Sequence, residues 1–165
     1  MKGTSLIIGA SGFIGRNLAF ALRAEGYGFR CLARNPGRAA PLAKAGFEVV
    51  PGDMLDAGSI DRAIAGTQSV YLSVQTVTRR QPGLREGDFM EAEYRGLDNV
   101  LAACRSHGVR RVIYVTPLGI EPGSSNPWMH GRWVAEQRLL ESGLDATILQ
   151  PGQELGLGGG AFDMT

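Results

Sequence analysis

Residues 5–15 read SLIIGASGFIG, an apolar run that ends on three spaced glycines. The first part, residues 5–9, predicts a short buried strand because it is apolar and rich in branched side chains. Apolar residues then recur at helical spacing and predict a helix directly after the turn: Ile14, Leu18, Ala21 and Leu22. A strand that turns on glycines into a helix is the geometry that binds a dinucleotide pyrophosphate, because the helix N-terminus presents amide hydrogens and a positive dipole end to the anion.

The three glycines have separate roles in such a turn. Gly9 permits the tight bend, Gly12 lets the backbone approach the phosphates, and Gly15 lets the helix pack close to the sheet. We therefore predict that the turn binds the cofactor through six residues: Gly9, Ser11, Gly12, Phe13, Ile14 and Gly15.

The end of the second predicted strand indicates which dinucleotide is bound. Sites that prefer NAD usually carry Asp or Glu there, and this chain carries Arg34, with Arg38 about one helical turn later. A carboxylate would repel a 2′-phosphate, whereas a guanidinium binds it through two hydrogen bonds. The sequence therefore favours NADP(H), with NAD(H) as the alternative. The structural alternative is that both arginines are solvated residues at the start of a helix.

Strand and helix patterns alternate along the whole chain. The predicted strands are residues 5–9, 28–33, 48–51, 69–73, 111–116 and 145–149. The predicted helices are residues 12–24, 38–45, 59–65, 89–107 and 126–142. This alternation predicts an α/β protein with a doubly wound parallel sheet, the Rossmann fold, and strand order 3-2-1-4-5-6. Ligands are then expected at the carboxyl ends of the strands, where the order reverses between strands 1 and 4.

Composition narrows the class of protein. The net charge of +1 gives no reason to expect nucleic acid or an anionic membrane surface as a partner. No apolar stretch approaches the roughly 18 residues of a membrane span, and no signal peptide is expected. Cys31 and Cys104 lack metal-ligand spacing, so we expect no metal site and two buried thiols in a reducing cytoplasm. We expect one NAD(P)-binding domain over residues 1–152 and a disordered glycine-rich tail over residues 153–165.

Five segments in chain order together resemble the atypical short-chain dehydrogenase/reductase family, in its NmrA-like, NAD(P)H-binding branch. They are GASGFIG at 9–15, LARNP at 32–36, GDMLD at 52–56, VIYVT at 112–116 and SGLDATILQPG at 142–152. The resemblance implies that Asp53 contacts the adenine amino group and that Met54 packs on the adenine ring. For Asp53 a turn cap is the structural alternative. The resemblance also implies that the segment after strand 4 runs along the ribose and nicotinamide, through Ser73, Val74 and Gln75.

The chemistry of this family departs from its usual form in this chain. Reductases that the chain resembles generally use Ser, Tyr and Lys, with Tyr four residues before Lys, and the corresponding register here gives Trp128 and Arg132. Arg132 can donate to ribose hydroxyls, whereas the indole of Trp128 has no accessible acidity. Thr116 falls near the serine position and can orient a carbonyl, or is simply a strand end. We predict Arg132 and Thr116 as catalytic and as cofactor-binding residues.

Three other side chains could supply a proton. His130 has a suitable ordinary pKa, but its offset from Trp128 and Arg132 points it to another helix face. Tyr94 and Tyr114 are further candidate donors, although each fits a helix stripe or a strand face as a packing residue.

Two functions stay open from the sequence. The first is an NADP(H)-dependent oxidoreductase that transfers hydride to a small carbonyl or quinone acceptor, with the substrate otherwise unknown. The second is a non-catalytic NAD(P)(H)-binding redox sensor, as the resemblance allows, and a marginally folded remnant is the third reading. Relatives continue past residue 152 into a substrate-binding half, so we expect either a minimal dinucleotide-binding domain or a truncated relative whose pocket lacks one wall. A second subunit in a homo-oligomer is one source of that wall.

Overall fold

The computed structural model describes residues 2–74 and 88–152, in which strands and helices alternate. The strands are β1 (Lys2–Ile8), β2 (Tyr27–Ala33), β3 (Glu48–Pro51), β4 (Ser69–Leu72), β5 (Arg111–Val115) and β6 (Asp145–Leu149). The helices are α1 (Phe13–Ala24), α2 (Pro36–Lys44), α3 (Ala57–Ile64), α4 (Asp88–Ser106) and α5 (Pro127–Leu140). The predicted tail over residues 153–165 and the predicted cofactor residue Gln75 lie outside the described residues.

The six strands form one parallel sheet in the order β3-β2-β1-β4-β5-β6, which confirms the predicted doubly wound fold. The order reverses at β1, which pairs with β2 on one side and with β4 on the other. Beyond the last strand pair, the amide of Ser73 donates to the carbonyl oxygen of Ile8 at 3.0 Å. The ends of β1 and β4 are therefore joined at the point where a ligand is expected.

The sheet is buried on both faces, and β1 shows why. Leu6 and Ile8 pack into a core with α3, α4 and α5, while Ile7 packs into a separate core with α1 and α2. Successive side chains of a strand point to opposite faces, so an unbroken apolar run is what a central parallel strand requires. None of the helices within residues 2–74 and 88–152 is both long enough and apolar enough to cross a bilayer.

Two helices begin two residues earlier than predicted. Helix α2 starts at Pro36 rather than residue 38, because the side chain of Asn35 accepts a hydrogen bond from the amide of Gly37 at 2.9 Å. Helix α3 starts at Ala57 rather than residue 59, because Asp56 caps it in the same way. In both cases a residue assigned to the preceding loop is the N-cap that determines where the helix begins.

The two buried cysteines make stability sensitive to alkaline pH. Burial raises the pKa of Cys31 and of Cys104 from 9.0 to about 11. Because the folded pKa lies above the unfolded one, this contribution is complete below pH 9 and is lost as pH rises toward 11.

We expect the free energy of unfolding, measured in urea across this range, to fall by up to about 1.4 kcal/mol per pH unit for each thiol. The double variant Cys31→Ala, Cys104→Ala should show a shallower slope, although its cavities lower stability at every pH. Equal slopes in the variant and the wild type would contradict this assignment.

Candidate functional site

The turn after β1 admits only glycine at two positions. Gly9 has φ +92°, and a Cβ there would lie 2.6 Å from the carbonyl oxygen of Ser73. A Cβ on Gly15 would collide with the carbonyl oxygen of Gly9. The amide of Gly12 closes the turn by donating to Gly9 at 2.9 Å. The roles predicted for Gly9 and Gly15, a tight turn and a close helix approach, are therefore the ones the backbone requires.

Helix α1 differs at its N-terminus from the three other helices whose N-caps are described. Helices α2, α3 and α5 are capped by the side chains of Asn35, Asp56 and Asn126. The N-cap of α1 is Gly12, which offers no side chain, and the first turn of α1 contains no acidic residue. The first amides of a helix have no partner within the helix, so those of α1 stay available to an external anion. This start of α1 we call the anion seat; it includes the half-buried residues Phe13 and Ile14.

Two guanidinium groups lie beyond the end of β2. Arg34 and Arg38 are both exposed, and they flank the capping residue Asn35 in sequence. Neither pairs with a carboxylate within residues 2–74 and 88–152. Two cations near the end of a strand that neighbours β1 suit a second phosphate better than a ribose diol.

The turn after β3 is held by a hydrogen bond within the turn itself. A carboxylate oxygen of Asp53 accepts from the amide of Leu55 at 3.1 Å, which is the bond of the turn-cap alternative. Met54 is 8% exposed and packs beneath α4, where a Cβ on Gly96 would lie 2.9 Å from the Cβ of Met54. The thioether thus lies in the core, and the adenine contacts implied for Asp53 and Met54 stay predictions.

A buried ion pair occupies the centre of the carboxyl edge. Arg132 on α5 is 1% exposed, and its Nη1 donates to Oε1 of Glu93 on α4 at 3.0 Å and to Oη of Tyr114 on β5 at 2.6 Å. Its Nη2 donates to the carbonyl oxygen of Val74, just beyond β4, at 2.7 Å. We call these four residues the Arg132 network. One side chain therefore connects two helices with the ends of two neighbouring strands.

This geometry shows how Arg132 is engaged within the protein. Both terminal nitrogens bind protein atoms and the charge is balanced by Glu93, while the predicted donation to ribose hydroxyls stays a prediction. The sequence did contain a signal: Glu93 is spaced from Leu97, Val100 and Cys104 as one buried helical stripe. A carboxylate in a core stripe requires a cation, and the charge of that cation is then balanced inside the protein.

The three alternative proton donors, Tyr114, Tyr94 and His130, each contact other side chains of the protein. Tyr114 donates its phenol hydrogen to Glu93 at 2.6 Å, and burial together with that carboxylate raises its pKa, against the opposing effect of Arg132. Burial likewise raises the pKa of Tyr94, over whose ring the guanidinium of Arg138 lies at 4.5 Å. His130 is exposed, and its ring lies 5.9 Å from that of Trp133. The Tyr114 hydrogen is therefore held by Glu93, and His130 lies at an exposed position of α5.

The last predicted residues lie at the ends of β4 and β5. Ser73 donates both its amide and its hydroxyl to Ile8, so it is fixed against β1. Thr116 is 2% exposed; its amide donates to the carbonyl of Leu149, but its hydroxyl has no hydrogen-bond partner among the residues that the structure describes. The ends of β1, β4 and β5, with the anion seat, thus form one continuous edge of the sheet.

This edge can be compared with known proteins. Residues 9–155 match the NAD(P)H-binding family. The chain belongs to this family. The resemblance to atypical short-chain dehydrogenase/reductases drawn from the five sequence segments fits the assignment.

The curated proteins that are similar in sequence to this NAD(P)H-binding chain have different roles. A photosystem II assembly factor, Ycf39, from Cyanophora paradoxa is 32% identical over 145 residues, which cover 88% of this chain and 44% of that protein. An NAD(P)H azoreductase from Xenophilus azovorans is 27% identical over 149 residues, covering 89% and 47%. The chain therefore spans about half the length of the curated relatives it matches.

A solved structure shares the fold of the NAD(P)H-binding chain. The NADPH-dependent quinone oxidoreductase QOR2 from Escherichia coli, complexed with NADPH, superposes with a TM-score of 0.69 at 24% identity. The match covers 88% of this chain and 48% of that one. At this identity the likeness is evidence for the fold alone.

The Arg132 network makes a prediction about stability. Arg132→Ala leaves the carboxylate of Glu93 buried without its cation, so we expect a loss of about 3–5 kcal/mol in the free energy of unfolding. The matched control is Arg138→Ala, which breaks an exposed pair with Asp98 on the same two helices and should cost about 0–1 kcal/mol. Equal losses in urea unfolding of the two variants would contradict a buried network.

Proposed function

We propose that the chain is the NADP(H)-binding part of a reductase that passes hydride to a small, electron-poor acceptor, a carbonyl or a quinone. The observation that carries the proposal is the anion seat at Gly12, the one N-terminus of the four with described caps that lacks a capping side chain. The glycines at 9 and 15, where a Cβ would meet backbone, allow the tight turn and the close helix packing that such a seat requires.

The preference for NADP(H) over NAD(H) is also part of the proposal. Arg34 and Arg38 would hold the 2′-phosphate, because both guanidiniums are exposed and neither is paired with a carboxylate within the described residues. The amides of the anion seat would hold the pyrophosphate. Ser73 and Val74 would support the nicotinamide half, since both are fixed by hydrogen bonds at the end of β4.

The residues near the reacting end favour acceptors that need no acid. A bound reduced dinucleotide supplies a hydride. Arg132 positions the carbonyl of Val74. The phenol of Tyr114 keeps its proton and donates it in a hydrogen bond to Glu93. Trp128, where the family usually has its tyrosine, cannot release a proton at neutral pH. Quinones and activated carbonyls suit such a site, because their reduced anions are stable enough to form without an acid. They can then take a proton from water. The relative named an NAD(P)H azoreductase supports a reductase of electron-poor acceptors.

A non-catalytic role is the second candidate, and two observations favour it. The cation at position 132 is balanced inside the protein by Glu93, and the residue one helical turn before it is Trp128 rather than the tyrosine of the resembled family. The relative at 32% identity is named an assembly factor rather than a reductase. In this reading the chain binds NAD(P)(H) as a redox sensor and turns nothing over.

The remaining parts of the proposal concern extent and compartment. We assign the NAD(P)-binding domain to residues 1–152, which include most of the family match. We place the protein in a reducing compartment, the cytoplasm, because Cys31 and Cys104 are free and lie in separate buried clusters.

Cofactor preference is tested at Arg34. In Arg34→Asp a carboxylate replaces the guanidinium, so we expect NADP⁺ to bind about tenfold to a hundredfold more weakly while NAD⁺ binding is kept. Isothermal calorimetry with both dinucleotides measures the change. Arg110→Asp, at an exposed position just before β5, has the same change in net charge and should leave both affinities as they are. An NADP⁺ affinity unaffected at position 34 would refute the preference.

Turnover separates the two candidate functions. We expect the wild type to oxidise NADPH with menadione or duroquinone, and not with cyclohexanone, whose alkoxide needs an acid. Loss of the near-ultraviolet absorbance of NADPH measures the rate, with the Arg34→Asp variant at limiting NADPH as the matched control. Tight NADPH binding with no oxidation by any acceptor would favour the sensor.

A further inference from the structure

Helix α5 carries a second buried charge besides Arg132. Glu136 is 6% exposed, and within the described residues no cation lies at ion-pair distance from its carboxylate. Its hydrogen-bond partner is Gln150, just beyond β6, whose Nε2 donates to Oε1 at 3.0 Å and to Oε2 at 3.3 Å. Because both oxygens accept and neither donates, the contact fits an ionised carboxylate. A buried charge normally has a partner of opposite sign, so this one needs an explanation.

The buried charges of this region do not balance. Among the described residues, the charged side chains that are buried are Glu93, Arg132 and Glu136. Arg132 and Glu93 neutralise each other through their ion pair at 3.0 Å. With two carboxylates and one guanidinium, the set keeps a net charge of −1. Water and salt screen a buried charge only weakly, so it acts over a longer range than a surface charge does.

The uncompensated charge lies close to the strand ends proposed as the nicotinamide site. Glu136 follows Arg132 by one helical turn, so both occupy the same face of α5, with Cβ atoms about 5–6 Å apart. Arg132 reaches the end of β4, where its Nη2 donates to the carbonyl oxygen of Val74 at 2.7 Å. The carboxylate is therefore one helical turn from a side chain that supports this site.

A charge at this place distinguishes the two redox states of a nicotinamide dinucleotide. In the reduced state the nicotinamide ring is neutral. When the ring gives up a hydride, the hydrogen passes to the acceptor with both electrons of its bond, and the ring keeps one positive charge. A nearby negative charge therefore stabilises the oxidised state and leaves the reduced state almost unaffected.

We propose that the uncompensated carboxylate of Glu136 makes the site favour NADP⁺ over NADPH, and so makes bound NADPH a stronger hydride donor. The proposal rests on the proposed cofactor site and adds how that site treats the two redox states. Glu136 acts through its charge rather than by contact, because it is almost closed off from solvent beneath the exposed residue Gln150. The phosphates proposed to bind at the anion seat and at Arg34 have the same charge in both states, so those contacts do not produce the preference.

The test compares the dissociation constants of NADP⁺ and NADPH, measured by calorimetry on the full chain with no acceptor present. Glu136→Gln removes the charge at nearly constant shape, so we expect the ratio Kd(NADPH)/Kd(NADP⁺) to fall about threefold to tenfold. A merely structural role would weaken both dinucleotides equally and leave the ratio unchanged. The matched control is Glu141→Gln, the same replacement at the exposed C-cap of α5, where water screens the charge.

Gln150→Arg gives a second test that keeps the carboxylate. An arginine at this exposed position places a cation against Glu136, so the ratio should fall about threefold to tenfold here too. Urea unfolding should find this variant at least as stable as the wild type, because a buried charge gains its counterion. The control is Gln68→Arg, which adds the same charge at an exposed position just before β4, at the amino end of the sheet.

The outcomes separate this preference from the proposed function. A ratio that falls in Glu136→Gln and in Gln150→Arg, with both controls unchanged, supports the proposal, even if the wild type reduces no acceptor. A ratio that does not fall in either variant, or that falls as much in a control, overturns it, while the binding of both dinucleotides still upholds the cofactor site. If the wild type binds neither dinucleotide, the proposal and the cofactor site fail together.

Discussion

The buried pair between Arg132 and Glu93 is the interaction on which the candidate site depends. A charge removed from water is stable only beside an opposite charge, and here the guanidinium and carboxylate come from two different helices. Two further hydrogens of the guanidinium reach Tyr114 and Val74, so the pair also fixes the ends of β5 and β4. The strand ends that we propose as the nicotinamide site are therefore held in place by an internal ion pair. For the same reason, lost activity in a variant at Arg132 would not by itself identify a catalytic group.

The site follows from the order of the strands. Because β1 lies between β2 and β4, the chain leaves the sheet in opposite directions on the two sides of one crevice. Gly9 brings the first turn against Ser73 across that crevice, and Gly12 leaves the start of α1 open toward it. The sheet thus places a positive helix end beside a hydrogen-bonded strand end.

Much of the fold could be predicted from local patterns. Apolar runs and helical stripes were enough for the six strands, the five helices and the strand order, since a central parallel strand such as β1 must be apolar on both faces. Helix starts at Asn35 and Asp56 were missed because a cap is read from one side chain, not from periodicity. The function of Arg132 could not be read from its own segment, since its partner Glu93 lies 39 positions away. The unpaired state of Oγ1 of Thr116 and Nε1 of Trp128 within the described residues could not be predicted either, because it depends on residues that are distant in sequence.

The missing capping side chain of α1 also makes the lifetime of the protein depend on the concentration of the dinucleotide. A helix without a cap is less stable than its neighbours, and a pyrophosphate accepting from its amides would supply what Gly12 lacks. A ligand that binds only the native chain adds RT ln(1 + [L]/Kd) to its stability. In a cell depleted of dinucleotide, a larger fraction of the chain would open and meet proteases, so the abundance of the protein would follow the size of the coenzyme pool.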